Sequence, residues 1–249
     1  MKNLPKFAIA AAALMASGLA SAATINLTGT LRDIGVAHPD FEDVCCGSET
    51  GLVKSTLGAD GTPVFDGGSF LTTAANFDDW FSTGTDYVLG ETSLNLTLDN
   101  GGSGSTYSYI NNDFFPLDGA LGGNEGYSHN YHFTFRLNTS FTYQAGQLFS
   151  FTGDDDVWVF IDDQLVIDLG GVHGAMSQSI NLDTLGLTAG NDYSFDLFFA
   201  ERHTVASSFR IDTSILLKPT QTDAPEPATI LLLGMGLLGI AAVRRKAQA

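Results

Sequence analysis

The chain is short of cysteine, of positive charge and of catalytic signatures, and each shortage removes a class of protein. Cys45 and Cys46 are the only cysteines among 249 residues, and they are adjacent. Neighbouring thiols cannot staple distant segments, and two ligands are too few for a structural zinc site. In an oxidising compartment they could form a vicinal disulfide, pair with another chain or stay as thiols; the vicinal disulfide is the expectation here. Lys and Arg number 11 against 28 Asp and Glu, and five of the basic residues lie near the ends, at Lys2, Lys6, Arg244, Arg245 and Lys246. The middle of the chain is therefore strongly acidic, which disfavours nucleic acid and anionic lipid and favours cations. Its richness in Phe, Tyr, Leu and Ile argues for a packed domain rather than a charged disordered one. There is no G-x-S-x-G, no HExxH, no P-loop and no internal repeat. A carboxylate pair at glycosidase spacing would arise by chance in so acidic a chain. Catalysis is not expected, and a surface glycoside hydrolase remains only the outlying alternative.

Long apolar runs are confined to the two ends. Lys2 and Lys6 precede an apolar stretch from Phe7 to Leu19, which ends in Ala20-Ser21-Ala22. A positive n-region, an h-region and an A-x-A site make a secretory signal, with signal peptidase cutting after Ala22. At the other end Pro225-Glu226-Pro227 leads into sixteen uncharged residues, 228–243, and then Arg244-Arg245-Lys246. Sixteen helical residues span about 24 Å, short of a ~30 Å hydrocarbon core, and the basic cluster sets the tail inside. Triplet, apolar helix and basic end together resemble a PEP-CTERM sorting signal. The resemblance implies an exosortase-type membrane protease as a processing partner, and delivery to the surface or exopolysaccharide matrix of a Gram-negative bacterium. The expected division is 1–22 signal peptide, 23–218 one β domain, 219–224 linker and 225–249 sorting segment.

Between the ends the pattern is of short alternating runs. Strands are expected at 24–31, 92–99, 107–110, 131–137, 147–152, 157–161, 165–167, 177–182, 193–200 and 208–217. In Tyr131–Leu137, Tyr131, Phe133 and Phe135 share one face and His132, Thr134 and Arg136 the other. Phe77, Trp80 and Phe81 stand at helical spacing and predict one short helix at 76–81, ending near Gly84. Residues 32–61 lack periodicity and read as an excursion over the surface. His129 and His132 fall on opposite strand faces, so no transition-metal site is expected. The fold class is all-β, a jelly-roll-like sandwich of about ten strands with one short helix.

The stretch the chain is organised around is FTGDDDVWVFIDDQLVIDLGGVH, 151–173. Asp154, Asp155 and Asp156 stand at the entrance of an apolar run, Val157–Ile161, and Asp162-Asp163 turns the chain into a second run. This is a buried hairpin with an acidic mouth. Three adjacent carboxylates repel one another unless solvent or a cation relieves them. A hard divalent cation held by oxygens would do so, and calcium fits best; a solvated acidic turn is the alternative. Asp168, beside Gly170, Gly171 and His173, is a further candidate ligand from the hairpin's far end. Glu201, Arg202 and His203 could form a polar network.

GDDDVWVFIDDQLVIDLGGVH resembles the signature of the fibro-slime domain, which is similar to the protective-antigen, lectin-like β-sandwich family. HPDFE (38–42), GLVKSTLGADGTPVF (51–65), FFPLDG (114–119), HNYHFTF (129–135) and AERHT…SSFRIDTSI (200–215) resemble further fibro-slime blocks. In the lectin branch two consecutive Asp, joined by a cis peptide, hold calcium. The metal coordinates sugar hydroxyls, and a later loop adds ligands. The resemblance puts that pair at Asp154 and Asp155, with Asp156 where a small residue is usual. It puts the later loop at 200–207, with Glu201 its only carboxylate. It implies an exported, non-enzymatic module binding extracellular polysaccharide or a matrix component. The rival is a purely structural matrix protein. Exposed aromatic rings beside the mouth would favour sugar recognition; a mouth closed by 114–126 would favour the structural role.

Overall fold

The computed structural model describes residues 23–41, 47–67, 72–82, 86–102 and 104–219. The signal segment, Cys45 and Cys46, and the sorting segment with Pro225, Glu226, Pro227, Arg244 and Arg245 lie outside the described residues, as does Gly84.

Ten strands form: β1 Thr24–Ile34, β2 Val88–Asp99, β3 Tyr107–Asn111, β4 Phe133–Thr142, β5 Leu148–Asp154, β6 Asp156–Ile161, β7 Gln164–Leu169, β8 Met176–Asn181, β9 Asp192–Glu201 and β10 Ser208–Thr213. All pair antiparallel, in the order β7-β6-β9-β4-β1-β2-β3-β10-β5-β8. β2 and β3 share a single pair, Asp99 with Ser108. There the sheet folds over, so that six strands face four. Phe149 of β5 meets Phe195 of β9 with ring centroids 5.0 Å apart, and Phe209 of β10 meets Phe199 of β9 at 5.3 Å. None of these strands are sheet neighbours, so the rings pack across the sandwich. Each fully buried Phe contributes about 1.5–3 kcal/mol.

β6 shows why its run is apolar at every position. Val157, Val159 and Ile161 enter the core between the layers, while Trp158 and Phe160 enter a second core on the outer face. That second core corrects the reading of 32–61 as a surface excursion. Phe41, Leu52 and Val53 are buried there with Phe77, Trp80 and Phe81, over Trp158, Phe198 and Ala200. The segment is held by isolated bridges, Val53 with Phe65 and Thr56 with Gln164. Irregular chain of this kind buries single residues without a repeat, which is why periodicity did not reveal it.

The helix α1 covers Ala74–Phe77, shorter than the spacing predicted. Its N-cap Thr73 makes no side-chain capping bond, and Asp78-Asp79 are weak helix formers. The three rings at helical spacing are nonetheless all buried. The β6–β7 turn places Asp162 at φ 52° and Asp163 at φ 60°, the left-handed pair of a hairpin turn that Asp tolerates.

Candidate functional site

At one end of the sandwich the chain crosses between layers four times, and two of these crossings carry the acidic residues. β5 belongs to the four-strand layer and β6 to the six-strand layer, so Asp154–Asp156 form the first of these two. β9 and β10 likewise lie in opposite layers, so 202–207 form the second, beside the first. The peptide between Asp154 and Asp155 is cis.

Backbone donors of the second crossing and of the loop after β7 grip the carboxylates of the first. Oδ1 of Asp154 accepts from Ser208 N at 2.5 Å. Oδ2 of Asp155 accepts from Arg202 N at 2.9 Å and Oδ1 from His173 N at 3.2 Å. Asp156 turns the other way. Its Oδ1 accepts from Gly171 N at 2.6 Å, and its Oδ2 takes Nε of Arg202 at 2.6 Å. That guanidinium also donates to Asp40 O and Thr72 Oγ1 and lies 4.6 Å over the Trp80 ring. Arg202 thus ties the outer core to the acidic end.

The wall beside the carboxylates depends on Gly170 and Gly171. Glu49 N bonds Gly170 O at 2.5 Å, and Gly47 N bonds Val172 O at 2.7 Å. A Cβ on Gly171, at φ +102°, would come within 2.4 Å of Gly47 O, and one on Gly170 within 2.6 Å of Glu49 O. The resulting opening has a volume of about 340 Å³ and is bordered by Asp154, Asp155, Val172, His173, His203 and Val205. Val205 stands at its rim, 74% exposed. Residues 114–126 do not border it, although Phe114 N bonds Ser207 O nearby. No Phe, Tyr or Trp among the described residues borders it either.

Burial sets the electrostatics. It pushes the Asp155 carboxyl up to about 7, with the charge of Asp156 adding to the effect. Burial raises Asp154 too, partly offset by the Ser208 N–H and His173. Glu201 is fully buried and held well above the usual carboxylate range, first by burial and then by Asp155. Its Oε1 accepts from His203 N at 3.3 Å, while its Oε2 has no hydrogen-bond partner. These groups are protonated more readily than free carboxylates unless positive charge arrives.

Of the sequence candidates, the fold brings Asp154, Asp155 and Glu201 together and spends the others. Asp156 is committed to Arg202 and Gly171. Asp168 accepts from Gly51 N at 2.7 Å and from Trp158 Nε1 at 3.1 Å, pinning the outer core to β7. Among the described residues no three His, Cys, Asp or Glu side chains form a ready metal cage. Those that could hold a hard cation are Asp154 and Asp155, which both border the opening and whose oxygens keep lone pairs beyond the N–H bonds they already accept. The sequence did not reveal Ser208 and His173 as backbone donors, because an N–H carries no residue-type signal.

Residues 223–246 match the PEP-CTERM protein-sorting motif, which marks the chain for export to the cell surface. Protein psiR of Dictyostelium discoideum is 43% identical over 207 residues, covering 75% of this chain and 20% of that protein. Protein psiD of the same organism is 40% identical over 220 residues, covering 81% and 43%. The chain thus spans less than half the length of these relatives. Among solved structures, the PA14 domain of the MpAFP antifreeze protein aligns over 80% of this chain and 94% of its own, at 12% identity and a TM-score of 0.36. The PA14 sugar-binding domain from an RTX adhesin aligns over 45% and 72%, at 19% identity and a TM-score of 0.31. Residues 99–228, which include Asp154–Asp156 and 202–207, match the PA14 domain, and the chain belongs to that family.

Proposed function

We propose that this is an exported, non-enzymatic surface module that binds carbohydrate of the cell envelope or extracellular matrix through the acidic opening, with calcium held by Asp154 and Asp155. The observation that carries the reading is the pair of desolvated carboxylates bordering one opening, their pKa values raised chiefly by burial. Calcium takes 6–8 oxygen ligands. Two carboxylates leave most of that shell to backbone oxygen, water or ligand hydroxyls, which is what a metal-mediated sugar site requires. Membership of the PA14 family, in which carbohydrate binding is known, supports the same reading. A hydrolase is disfavoured because Asp156 and Asp168 are consumed by structural bonds.

The test is a calorimetric calcium titration of the chain from Ala23 onward, beside the Asp154→Asn/Asp155→Asn variant, followed by glycan screening with and without calcium. Calcium heat that disappears in the variant, and glycan capture that needs calcium, are expected. A folded chain giving no calcium heat would overturn the metal-dependent reading. A second reading, a structural matrix protein without sugar binding, is favoured because no Phe, Tyr or Trp among the described residues borders the opening. It predicts calcium binding that raises the unfolding temperature but no glycan capture.

A further inference from the structure

β1 and β4 do not stay together. They pair only from Thr30 with Arg136 to Asp33 with Phe133. β1 then follows β2 and β4 follows β9, so the two splay apart. The closest approach is at Gly29, where a Cβ would come within 2.3 Å of the Phe135 ring. At the far end the gap is closed by the bridge of Phe141 with Leu217 and by Lys218 N on Ser140 O at 2.8 Å. The slot between has a volume of about 670 Å³, within the range of about 300–1,000 Å³ usual for ligand sites. Thr28, Thr30, Arg136, Asn138, Ser140 and Lys218 line it.

The lining of this slot carries two cations, Arg136 and Lys218, and no carboxylate, while Asp192 and Asp196 stand at its edge on Lys218 and Asn138. Four arginines lie among the described residues. Arg32 pairs with Glu91, Arg202 with Asp156 and Arg210 with Asp212. Arg136 has no carboxylate within ion-pair distance among the described residues. It donates Nη2 to Gly61 O at 2.9 Å and lies 5.5 Å from the Phe198 ring centroid, and its buried Nε has no partner. Asp60 and Asp196 are close enough to feel its charge but form no pair with it. Lys218 holds Asp192 at 2.7 Å, but both are well exposed, and such pairs exchange at little cost.

We propose that this slot is a second ligand site, taking a carboxylate-bearing sugar independently of any metal. The Arg136 guanidinium receives the carboxylate through the Nη1 side left by Gly61 O, and the hydroxyls of Thr30 and Ser140, with the Asn138 side-chain oxygen, receive ring hydroxyls, while the Asn138 amide nitrogen stays on Asp196. A sugar suits the lining better than an acidic peptide, because peptide docking uses apolar pockets for side chains and only Gly29 and Pro219 here lack polar side chains.

The test uses a galacturonate trimer, its neutral galactose counterpart and an acidic peptide, each titrated in EDTA against the chain from Ala23 onward. The uronate trimer is expected to bind and the other two are not. Arg136→Gln should weaken it about tenfold or more, Arg136→Lys should recover only part, and Asp154→Asn/Asp155→Asn should leave it unchanged. Ser140→Trp, which fills the slot from the end away from Arg136, should also block binding, and carries the test if Arg136→Gln does not fold. Uronate binding that is absent, or unaffected by Arg136→Gln and Ser140→Trp, would overturn the site. Equal capture of the acidic peptide would overturn the assignment to sugar. The calcium-dependent reading stands or falls separately, on Asp154 and Asp155.

Discussion

Two arginines a short way apart in the fold live in opposite circumstances. Arg202, at the acidic end, is fully buried and meets a carboxylate, a carbonyl, a hydroxyl and an indole face. Arg136, on the outer face of β4, is half-buried and meets one carbonyl and one phenyl ring. At the acidic end the cation is absorbed by Asp156, so the buried carboxyls of Asp154, Asp155 and Glu201 are left without an ion-pair partner and shift toward the protonated form. On the sheet face the cation is left over. Unmatched charge, of either sign, marks where this chain has capacity for something outside itself.

The comparison breaks hardest at Arg202. Arg202→Met should destabilise the chain by about 3–5 kcal/mol in urea unfolding, because Asp156 is then a buried charge without its partner. A loss below about 1 kcal/mol would show that Asp156 does not depend on it. Next in size, Gly171→Ala should cost about 1–3 kcal/mol, since φ +102° is foreign to a residue with a Cβ and the wall at Gly47 must move. Its calcium affinity should fall as well, because that wall borders the opening.

A pH series sharpens the picture. Burial and the charge of Asp156 raise the folded pKa of Asp155 to about 7, well above the usual carboxylate range. As pH rises through that window the unfolded chain gives up its proton first, so folding stability declines from about pH 4 to pH 7 in the absence of metal. Calcium should reverse the trend, and Asp155→Asn should flatten it; thermal unfolding at pH 5 and pH 7.5 reads all three. The smallest effect belongs to Arg210→Ala. Its pair with Asp212 is exposed, and its removal should leave the unfolding midpoint where it was.

How much was legible in the sequence follows the same physics. All ten strands could be read because one face of each must be apolar, and β6 could be read as doubly buried because Val157–Ile161 is apolar throughout. The turn at Asp162-Asp163 was visible from residue type. The outer core was not, since Phe41, Leu52 and Val53 are buried one at a time from irregular chain. Spacing alone could not sort Asp155 from Asp156, although the family resemblance set Asp156 apart from the pair. Adjacent residues at a layer crossing face different partners, and only the position of Arg202 decides which carboxylate is consumed. The solitary state of Arg136 was equally invisible, because lacking a partner is a property of the fold.

β4 and β9 run together from Phe133 beside Glu201 at the acidic end to Thr142 beside Asp192 at the other, about 30 Å away at the usual strand rise. Lys218 is fastened to that far pole through Asp192 and Ser140, and Ala23 begins there too, with its N–H on Asn100. Both ends of the described chain therefore leave from the pole opposite Asp154 and Asp155. Strand direction thus sets the acidic opening at the pole farthest from the point where the described chain continues toward the sorting segment.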